Sequence, residues 1–276
     1  MTLLQYPNID PTLVSFPLFG RELAIRWYGF LYVLSFILGY ILYRHMLKVR
    51  NVKITRDQYE GIIFSAMLGV ILGGRLGYVL FYNLPWYLQH PQEIFFVWEG
   101  GMSFHGGALG VIIACLIYLK RQKLDFFKLA DPAMPLVAIG LGLGRLGNFI
   151  NAELWGKVTT LPWGMVFPGA DAGSLPRHPT QLYELFLEGI VLFTVCYLLL
   201  RKSRREGIVF WAFIGLYGIF RFLVEFVRVP DQLDVYDKYG FFLGFMTIGQ
   251  ILSFLMVVAA AIGIWKLYQQ KPEAKK

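Results

Sequence analysis

Long apolar stretches alternate with short polar segments along the whole chain. Each of seven such stretches has about the length that a helix needs to cross a hydrocarbon core of about 30 Å. The predicted spans are residues 23–43, 61–82, 103–119, 129–147, 182–200, 207–227 and 241–265. This pattern predicts an all-α polytopic membrane protein with about seven transmembrane helices, organised as one integral-membrane domain over residues 1–276.

The segments between the spans carry turn and helix-start residues. Residues 148–180 form the longest polar segment and are rich in Gly, Pro and Trp, so we expect a small irregular or β-rich cap there. Thr180 is the predicted N-cap of the fifth span, because threonine commonly caps helix starts. Pro132 and Pro135 lie near the predicted start of the fourth span, where the first helical turn tolerates proline.

Composition and charge place the chain in the membrane class and orient it. Hydrophobic residues make up 57% of the chain and charged residues only 16%, whereas soluble domains carry about 25% charged residues. The net charge of +8 does not indicate nucleic-acid binding, because 17 of the 26 basic residues fall in residues 44–56, 120–128, 201–205 and 266–276. These segments follow the first, third, fifth and seventh predicted spans, so all four lie on the same side of the membrane. The positive-inside rule makes that side cytoplasmic, with the N-terminus outside.

The most polar sequence within an apolar background is GLGLGRLGNFINAELWG, residues 140–156. It carries Arg145, Asn148, Asn151 and Glu153 at the end of the fourth predicted span. A cation at membrane depth is costly, so a partner or a function is expected for Arg145. The obvious partner is a phosphate or a carboxylate, and the glycines allow close approach of a backbone or a ligand.

Ionisable residues are concentrated towards the outer ends of the spans. The set comprises Arg75, His105, Arg145, Glu153, Glu184, Arg221 and Glu225. A transporter would be expected to place such groups along the whole depth and to hold its substrate near the midplane. The observed clustering favours one polar pocket open to the outer leaflet, where a lipid head group lies.

Two interpretations remain open for several of these residues. Arg221 and Glu225 share a helix face, so they neutralise each other, Glu225 orients Arg221 towards a phosphate, or both. Glu153 either pairs with an arginine or acts on a proton. His105, between Phe104 and two glycines, is either a satisfied polar residue or a proton-transfer group.

The aromatic and sulfur-containing residues also have ordinary structural interpretations. Tyr28 and Tyr217 are either interfacial aromatics or hydroxyl groups of the pocket. Cys115 and Cys196 lie inside apolar spans and are interpreted as packing residues. The role of Arg75, in a G-R-L-G sequence like that of Arg145, is not determined. The sequence has no Walker A loop, no G-x-S-x-G, no H-E-x-x-H and no Cys/His metal spacing, so we expect no metal and no cofactor.

Five stretches resemble the prolipoprotein diacylglyceryl transferase family of bacteria. The most specific is GRLGNFINAELWG at residues 144–156, in which Ala152 replaces an expected glycine. The others are RWYG at residues 26–29, GMSFHGG at 101–107, RHPTQLYE at 177–184 and FRFLVEFVR at 220–228. The resemblance extends from the first span to the sixth.

The resemblance implies a reaction that the residues alone do not name. Enzymes of this family move the diacylglyceryl group of phosphatidylglycerol onto the lipobox cysteine of a prolipoprotein, forming a thioether and releasing glycerol phosphate. It implies a multi-pass protein of the bacterial inner membrane with its active site near the outer leaflet, whose partners are phosphatidylglycerol, the prolipoprotein signal peptide and membrane lipids. Carried over by motif, the functional residues are Tyr28, His105, Arg145, Asn148, Glu153, Gly156, Tyr217, Arg221 and Glu225.

Those positions divide into two overlapping sets. The catalytic set contains His105, Arg145, Arg221, Tyr28 and Glu225, and the phosphatidylglycerol-binding set contains Arg145, Arg221, Asn148, Glu153, Gly156 and Tyr217. The alternative function is a lipid or small-anion transporter that uses the same arginines. A purely structural membrane subunit would leave the intramembrane arginines unexplained.

Overall fold

Helices that follow the apolar stretches dominate the computed structural model, which describes residues 4–18, 21–97, 100–230, 241–242 and 246–269. The long helices are α1 (Trp27–Val49), α2 (Arg56–Phe81), α4 (Phe104–Arg121), α5 (Phe126–Ile150), α6 (Thr180–Lys202), α7 (Ile208–Glu225) and α8 (Ile248–Gln269). The shorter elements are strands β1 (Leu4–Gln5), β2 (Thr12–Leu18), β3 (Arg21–Arg26) and β4 (Met165–Val166), helix α3 (Leu84–Gln89) and a 3-10 turn at Pro91–Phe95. Within α6, Leu185–Val191 is π-helical.

Six of these helices are long and apolar enough to cross a membrane within the described ranges: α1, α2, α5, α6, α7 and α8. The chain is therefore mostly helical and multi-pass in character. Helix α4, which corresponds to the third predicted span, has 18 residues. Each predicted span has a helix at its position, although the ends differ.

Four local predictions were wrong. Residues 23–26, assigned to the first span, belong to β3, which pairs antiparallel with β2 and leads directly into α1. Pro132 and Pro135 lie inside α5, because that helix begins already at Phe126. Thr180 is the first residue of α6 and not its cap; Pro179 occupies the cap position, and the Thr180 hydroxyl donates to the carbonyl of Leu154 at 2.9 Å. The last span starts later than predicted, at Ile248, and part of its predicted start at residues 243–245 lies outside the described residues.

The chain divides into two compact units, of which the second is Asn51–Leu129. In this unit α2 packs on α4 through glycines. A Cβ on Gly69 would lie 2.6 Å from the carbonyl oxygen of Gly110, and one on Gly77 would lie 2.7 Å from Cα of Gly106. Small residues at such spacing let helix backbones approach closely in a membrane, so these glycines determine how the pair packs.

The first unit contains Met1–Arg50 and Ala130–Lys276. Helices α5 and α6 cross at Gly142 and Gly189, where a Cβ on either residue would lie within 3.0 Å of the other's Cα. The core of this unit includes Ala138, Leu192 and Val209 together with Cys196. Cys196 is fully buried, which confirms its interpretation as a packing residue, whereas Cys115 in the second unit is half-buried.

A buried ion pair fixes the start of α7 in the first unit. Nη2 of Arg50 lies 2.8 Å from Oδ2 of Asp131, and Asp131 accepts hydrogen bonds from the backbone N–H groups of Gly207 and Phe210 at 2.9 Å each. Arg50 also donates to the carbonyls of Ser203 and Arg205. The free N–H groups at a helix start favour a carboxylate, so Asp131 on α5 anchors α7 from another helix.

Residues 151–179 are mostly irregular, with β4 as their only strand among the residues described there. Strand β4 pairs parallel with β1, and the hydroxyl of Tyr6 donates to the carbonyls of Phe149 and Ile150 at the end of α5. Burial raises the pKa of the Tyr6 hydroxyl, so it stays protonated and remains a donor. The N-terminal segment thereby holds the sequence that follows Arg145 in place.

Candidate active site

Arg145 lies near the end of α5, three residues after the close contact between Gly142 and Gly189. Its Nε atom is 3.3 Å from Oε2 of Glu184 and 3.5 Å from Oε2 of Glu188, both on α6. Among the described residues, none accepts a hydrogen bond from the two Nη atoms. The side chain is 15% exposed, so the terminal fork of the guanidinium remains available to a ligand.

Arg221 on α7 is held between two carboxylates. Its Nη1 donates to Oε1 of Glu184 at 3.2 Å, and its Nη2 lies 2.8 Å from Oε2 of Glu225 one turn further on. The mutual ion pair expected from the spacing of Arg221 and Glu225 is therefore confirmed. Glu225 is itself oriented, because its Oε1 accepts a hydrogen bond from the hydroxyl of Thr247 at 2.9 Å.

Glu184 links the arginines of three segments. It is fully buried and contacts Arg145, Arg221 and also Arg228, whose Nη1 lies 3.7 Å from its Oε1. Since a buried carboxylate is costly unless it is paired, Glu184 strongly favours the arrangement that brings these arginines together. We call the set Arg145, Arg221, Arg228, Glu184, Glu188 and Glu225 the arginine cluster.

Glu153 is held by asparagines and not by the arginines. Its Oε1 accepts hydrogen bonds from Nδ2 of Asn148 at 2.8 Å and from Nδ2 of Asn151 at 3.2 Å. Its backbone carbonyl accepts a hydrogen bond from Nε2 of Gln181 at 2.6 Å, which ties this turn to the start of α6. The structure thus brings Asn148 and Glu153 together, while Arg145 and Arg221 pair with other carboxylates.

Gly156 occupies a position where a side chain does not fit. Its N–H donates to the carbonyl of His178 at 2.8 Å, and a Cβ would lie 2.5 Å from the carbonyl oxygen of Val227. The neighbouring Lys157 N–H donates to that same Val227 carbonyl at 2.7 Å. Gly156 therefore serves as the close contact that links residues 151–179 to the end of α7.

Two tyrosines complete the site in the first unit. Tyr28 at the start of α1 packs on α5, because a Cβ on Gly147 would lie 2.8 Å from its ring, and it lies within electrostatic range of Arg145 and Glu153. Tyr217 on α7 lies within electrostatic range of Glu188, Arg145 and Arg221. From the sequence, Tyr28 and Tyr217 were either interfacial aromatics or hydroxyl groups of the pocket. The structure brings both close to Arg145.

The second unit contains His105 and Arg75. His105 is an exposed residue in the first turn of α4, where Ser103 caps the helix by accepting a hydrogen bond from the Gly106 N–H at 3.2 Å. Arg75 is buried, and it donates to the carbonyls of Ile94 at 2.9 Å, Gly100 at 2.6 Å and Glu93 at 2.5 Å. Arg75 therefore organises the loop before α4 by binding carbonyl groups and not carboxylates.

Comparison with known proteins decides the family. The family model described as prolipoprotein diacylglyceryl transferase matches residues 14–266. The chain belongs to the prolipoprotein diacylglyceryl transferase family. All nine site residues carried over by motif fall within the matched residues.

Individual relatives of this family match almost the whole chain. The phosphatidylglycerol--prolipoprotein diacylglyceryl transferase of Geobacter sulfurreducens is 53% identical over 253 residues, covering 92% of this chain and 93% of the relative. The proteins of the same name from Pseudomonas entomophila and Vibrio parahaemolyticus are 48% and 47% identical, with 99% of this chain covered in each case. The resemblance inferred from five short motifs is thus confirmed over nearly the full length.

Sequence reasoning missed part of the site in this member of the prolipoprotein diacylglyceryl transferase family. Glu184 was counted among the clustered ionisable residues but had no individual role, Arg228 appeared only in a motif, and Glu188 was not considered at all. The sequence did contain a sign that Glu188 belongs to the site, since it is a second carboxylate four residues after Glu184 within an apolar span. What the sequence could not supply was the partner, because Arg145 comes from a different helix.

Proposed function

We propose that this chain transfers the diacylglyceryl group of phosphatidylglycerol to the thiol of a prolipoprotein lipobox cysteine, the first step of lipoprotein maturation. The relatives' names state the reaction class, and their identity covers nearly the whole chain. The structural observation that carries the proposal is Arg145, whose Nε is held by two glutamates while its Nη atoms remain available. A planar guanidinium presented in this way suits a phosphate.

The arginines bind the phosphate of the lipid and stabilise its departure. In the reaction the carbon–oxygen bond between the glyceryl group and the phosphate breaks, and a carbon–sulfur bond to the cysteine forms. The electron pair of the broken bond goes to glycerol phosphate, and negative charge grows on its oxygen. Preorganised guanidinium groups at Arg145 and Arg221 stabilise that charge where solvent is excluded.

The remaining site residues position these groups or the substrates. Glu225, oriented by Thr247, holds Arg221 in place. Asn148 and Glu153 form a hydrogen-bonded pair just beyond Arg145, and Gly156 fixes the backbone that follows. Tyr28 and Tyr217 line the phosphate site, to which Tyr217 offers a hydroxyl.

His105 accepts the proton of the acceptor thiol. A free thiol has a pKa of about 8.5, so only a small fraction is thiolate at neutral pH and a base is useful. Histidine suits this transfer, and its exposed position at the start of α4 leaves it accessible to a peptide. No cofactor enters this scheme, since neither the donor nor the acceptor requires redox or metal chemistry.

The membrane arrangement is part of the proposal. We infer seven transmembrane helices, the six spanning candidates together with α4, in a single integral-membrane domain of the inner membrane. The basic segments put the N-terminus outside and the C-terminus in the cytoplasm. Residues 148–180 then form an outer cap, and the active site faces the outer leaflet.

Cysteine labelling tests this topology. Single cysteines placed at residues 169–174 should react with a membrane-impermeant thiol reagent in intact cells, while cysteines at residues 202–205 should react only after permeabilisation. Cys115 and Cys196 are replaced by alanine first, so that they do not contribute. The opposite labelling pattern would show that the proposed orientation is wrong.

Reconstitution tests the activity. Purified protein in vesicles is given phosphatidylglycerol and a lipobox cysteine peptide, and the peptide should gain the mass of a diacylglyceryl group. A peptide with serine in place of cysteine is the matched control and should stay unmodified. Movement of the lipid between leaflets without peptide modification would instead favour the transporter.

A further inference from the structure

Glu188 is a buried carboxylate beside Arg145, and the proposed reaction gives no role to its negative charge. Its side chain is 0% exposed, and both of its oxygens are buried. The nearest cation is Arg145, with Nε 3.5 Å from Oε2. Because a buried carboxylate at span depth is costly unless it is paired, Glu188 depends on its ion pair with Arg145.

The surrounding backbone fixes Glu188 opposite Arg145. It lies in the π-helical segment Leu185–Val191. This conformation is rare in proteins, and where it occurs it is often part of a functional site. The next residue, Gly189, makes the close contact with Gly142 of α5, where its Cβ would lie 2.9 Å from the Gly142 Cα. The helix crossing therefore places this carboxylate beside the arginine and leaves it little freedom to turn away.

The charges of the arginine cluster balance when Glu188 is ionised. Arg145, Arg221 and Arg228 contribute three positive charges, and Glu184, Glu188 and Glu225 contribute three negative charges. Glu184 and Glu225 also hold Arg221 through close contacts of 3.2 and 2.8 Å. Glu188 lies farther from its partner, 3.5 Å from Nε of Arg145, so its contribution to the site is mainly its charge.

We propose that Glu188 is a positioning residue whose charge keeps the arginine cluster balanced, so that the phosphate product is released. The inference rests on the proposed function. The lipid is a phosphodiester with one negative charge, whereas glycerol phosphate is a monoester that carries about 1.5 to 2 negative charges at neutral pH. Without the charge of Glu188 the cluster would have one more net positive charge. Its affinity for the product would then increase more than its affinity for the substrate, because the product carries more negative charge.

Glu188→Gln tests this by removing the charge and keeping the shape. The measurements are KM for phosphatidylglycerol, kcat, and the inhibition constant Ki of added glycerol phosphate. We expect Ki to fall about tenfold and KM only about threefold, because a doubly charged ligand gains about twice the interaction. The ratio of KM to Ki then rises, and kcat falls as product release becomes slow.

Two further variants separate charge from structure. Glu188→Asp keeps the charge and should leave the ratio of KM to Ki near that of the wild type. Glu60→Gln is the matched control, since Glu60 is a carboxylate in the second unit paired with Arg56 at 2.7 Å, and it should change nothing. If Glu188→Gln does not accumulate as folded protein, Glu188→Met replaces it, because methionine removes the charge and its flexible side chain fills irregular buried space.

The ratio decides the inference. If KM and Ki rise together in the charge-removing variant, or if the ratio shifts equally in Glu188→Asp, Glu188 is a structural residue and the proposal is wrong. Failure of the proposed function is a different result, since the wild-type protein would then not modify the cysteine peptide at all.

Discussion

Nη1 of Arg221 on α7 donates to Oε1 of Glu184 on α6 at 3.2 Å, and the second oxygen of the same carboxylate lies 3.3 Å from Nε of Arg145 on α5. One buried carboxylate thus fixes the relative positions of two arginines from different helices. Because both arginines are proposed to act on one phosphate, their separation matters as much as their charge. Substitutions that keep charge but change geometry should therefore be damaging.

Replacing Arg145 or Arg221 by alanine should lower the transfer rate by at least about 10²-fold, since each removes a preorganised donor to the developing charge. Lysine should restore little, because it lacks the planar fork. Arg145→Lys should be the worse of the two lysine variants, since Arg145 keeps its Nη atoms available while Arg221 uses both on glutamates. The check is the rate of peptide modification per folded protein in vesicles; a near wild-type rate in Arg145→Lys would contradict bidentate phosphate recognition.

Arg75→Ala should affect stability more than catalysis. The substitution leaves the carbonyls of Glu93, Ile94 and Gly100 without their donor, and each unpaired buried group costs about 1–3 kcal/mol. We expect a lower thermal unfolding temperature in detergent and a nearly unchanged transfer rate per folded molecule at low temperature. A lost rate with unchanged unfolding temperature would instead place Arg75 in the active site.

His105→Gln should lower the transfer rate at neutral pH by about 10²-fold, the lower end of the range for positioned proton transfer. As the pH rises towards about 9, the acceptor thiol ionises without help, so the deficit of the variant should shrink. The measurement is the pH profile of variant and wild type with one peptide in one lipid mixture. A deficit that stays constant across the profile would identify His105 as an organiser of the pocket and not as the base.

Gly156→Ala should unfold the site locally. The new Cβ would meet the Val227 carbonyl oxygen at 2.5 Å and the Thr180 Cγ2 at 2.7 Å, so the backbone must shift. Overpacking of this kind typically costs about 1–3 kcal/mol, and the displaced turn carries Glu153. Transfer and unfolding temperature should both fall, whereas Gly39→Ala on α1, with nothing within 4 Å of its Cβ, should leave both unchanged.

Ala152→Gly should stabilise the protein. Ala152 has a φ of 55°, in the left-handed region that an L side chain occupies at a cost of about 1–2 kcal/mol. Glycine adopts this conformation without that cost, but it loses more conformational entropy on folding than alanine does. The free energy of unfolding should therefore increase by up to about 1 kcal/mol. The unfolding temperature should rise with transfer unchanged; a fall would show that the methyl group packs usefully in this turn.

Local sequence patterns were enough to establish the membrane class, the approximate positions of the long helices and the family. Apolar length predicts a span wherever it occurs, and the motif at residues 144–156 identifies the family without knowledge of its neighbours. The i, i+4 pair of Arg221 and Glu225 was likewise predictable, since one helix supplies both groups.

The partner of each buried charge, in contrast, could not be read from local patterns. Arg75 and Arg145 lie in two separate stretches with the identical sequence G-R-L-G. Arg75 nevertheless binds backbone carbonyls of a loop, whereas Arg145 binds carboxylates of α6. Those partners lie on other segments, up to 43 residues away in the case of Glu188, and no local pattern encodes them. The reason is physical: a buried ion is stabilised by whatever group the packing brings within a few ångströms, and that is a property of the whole fold.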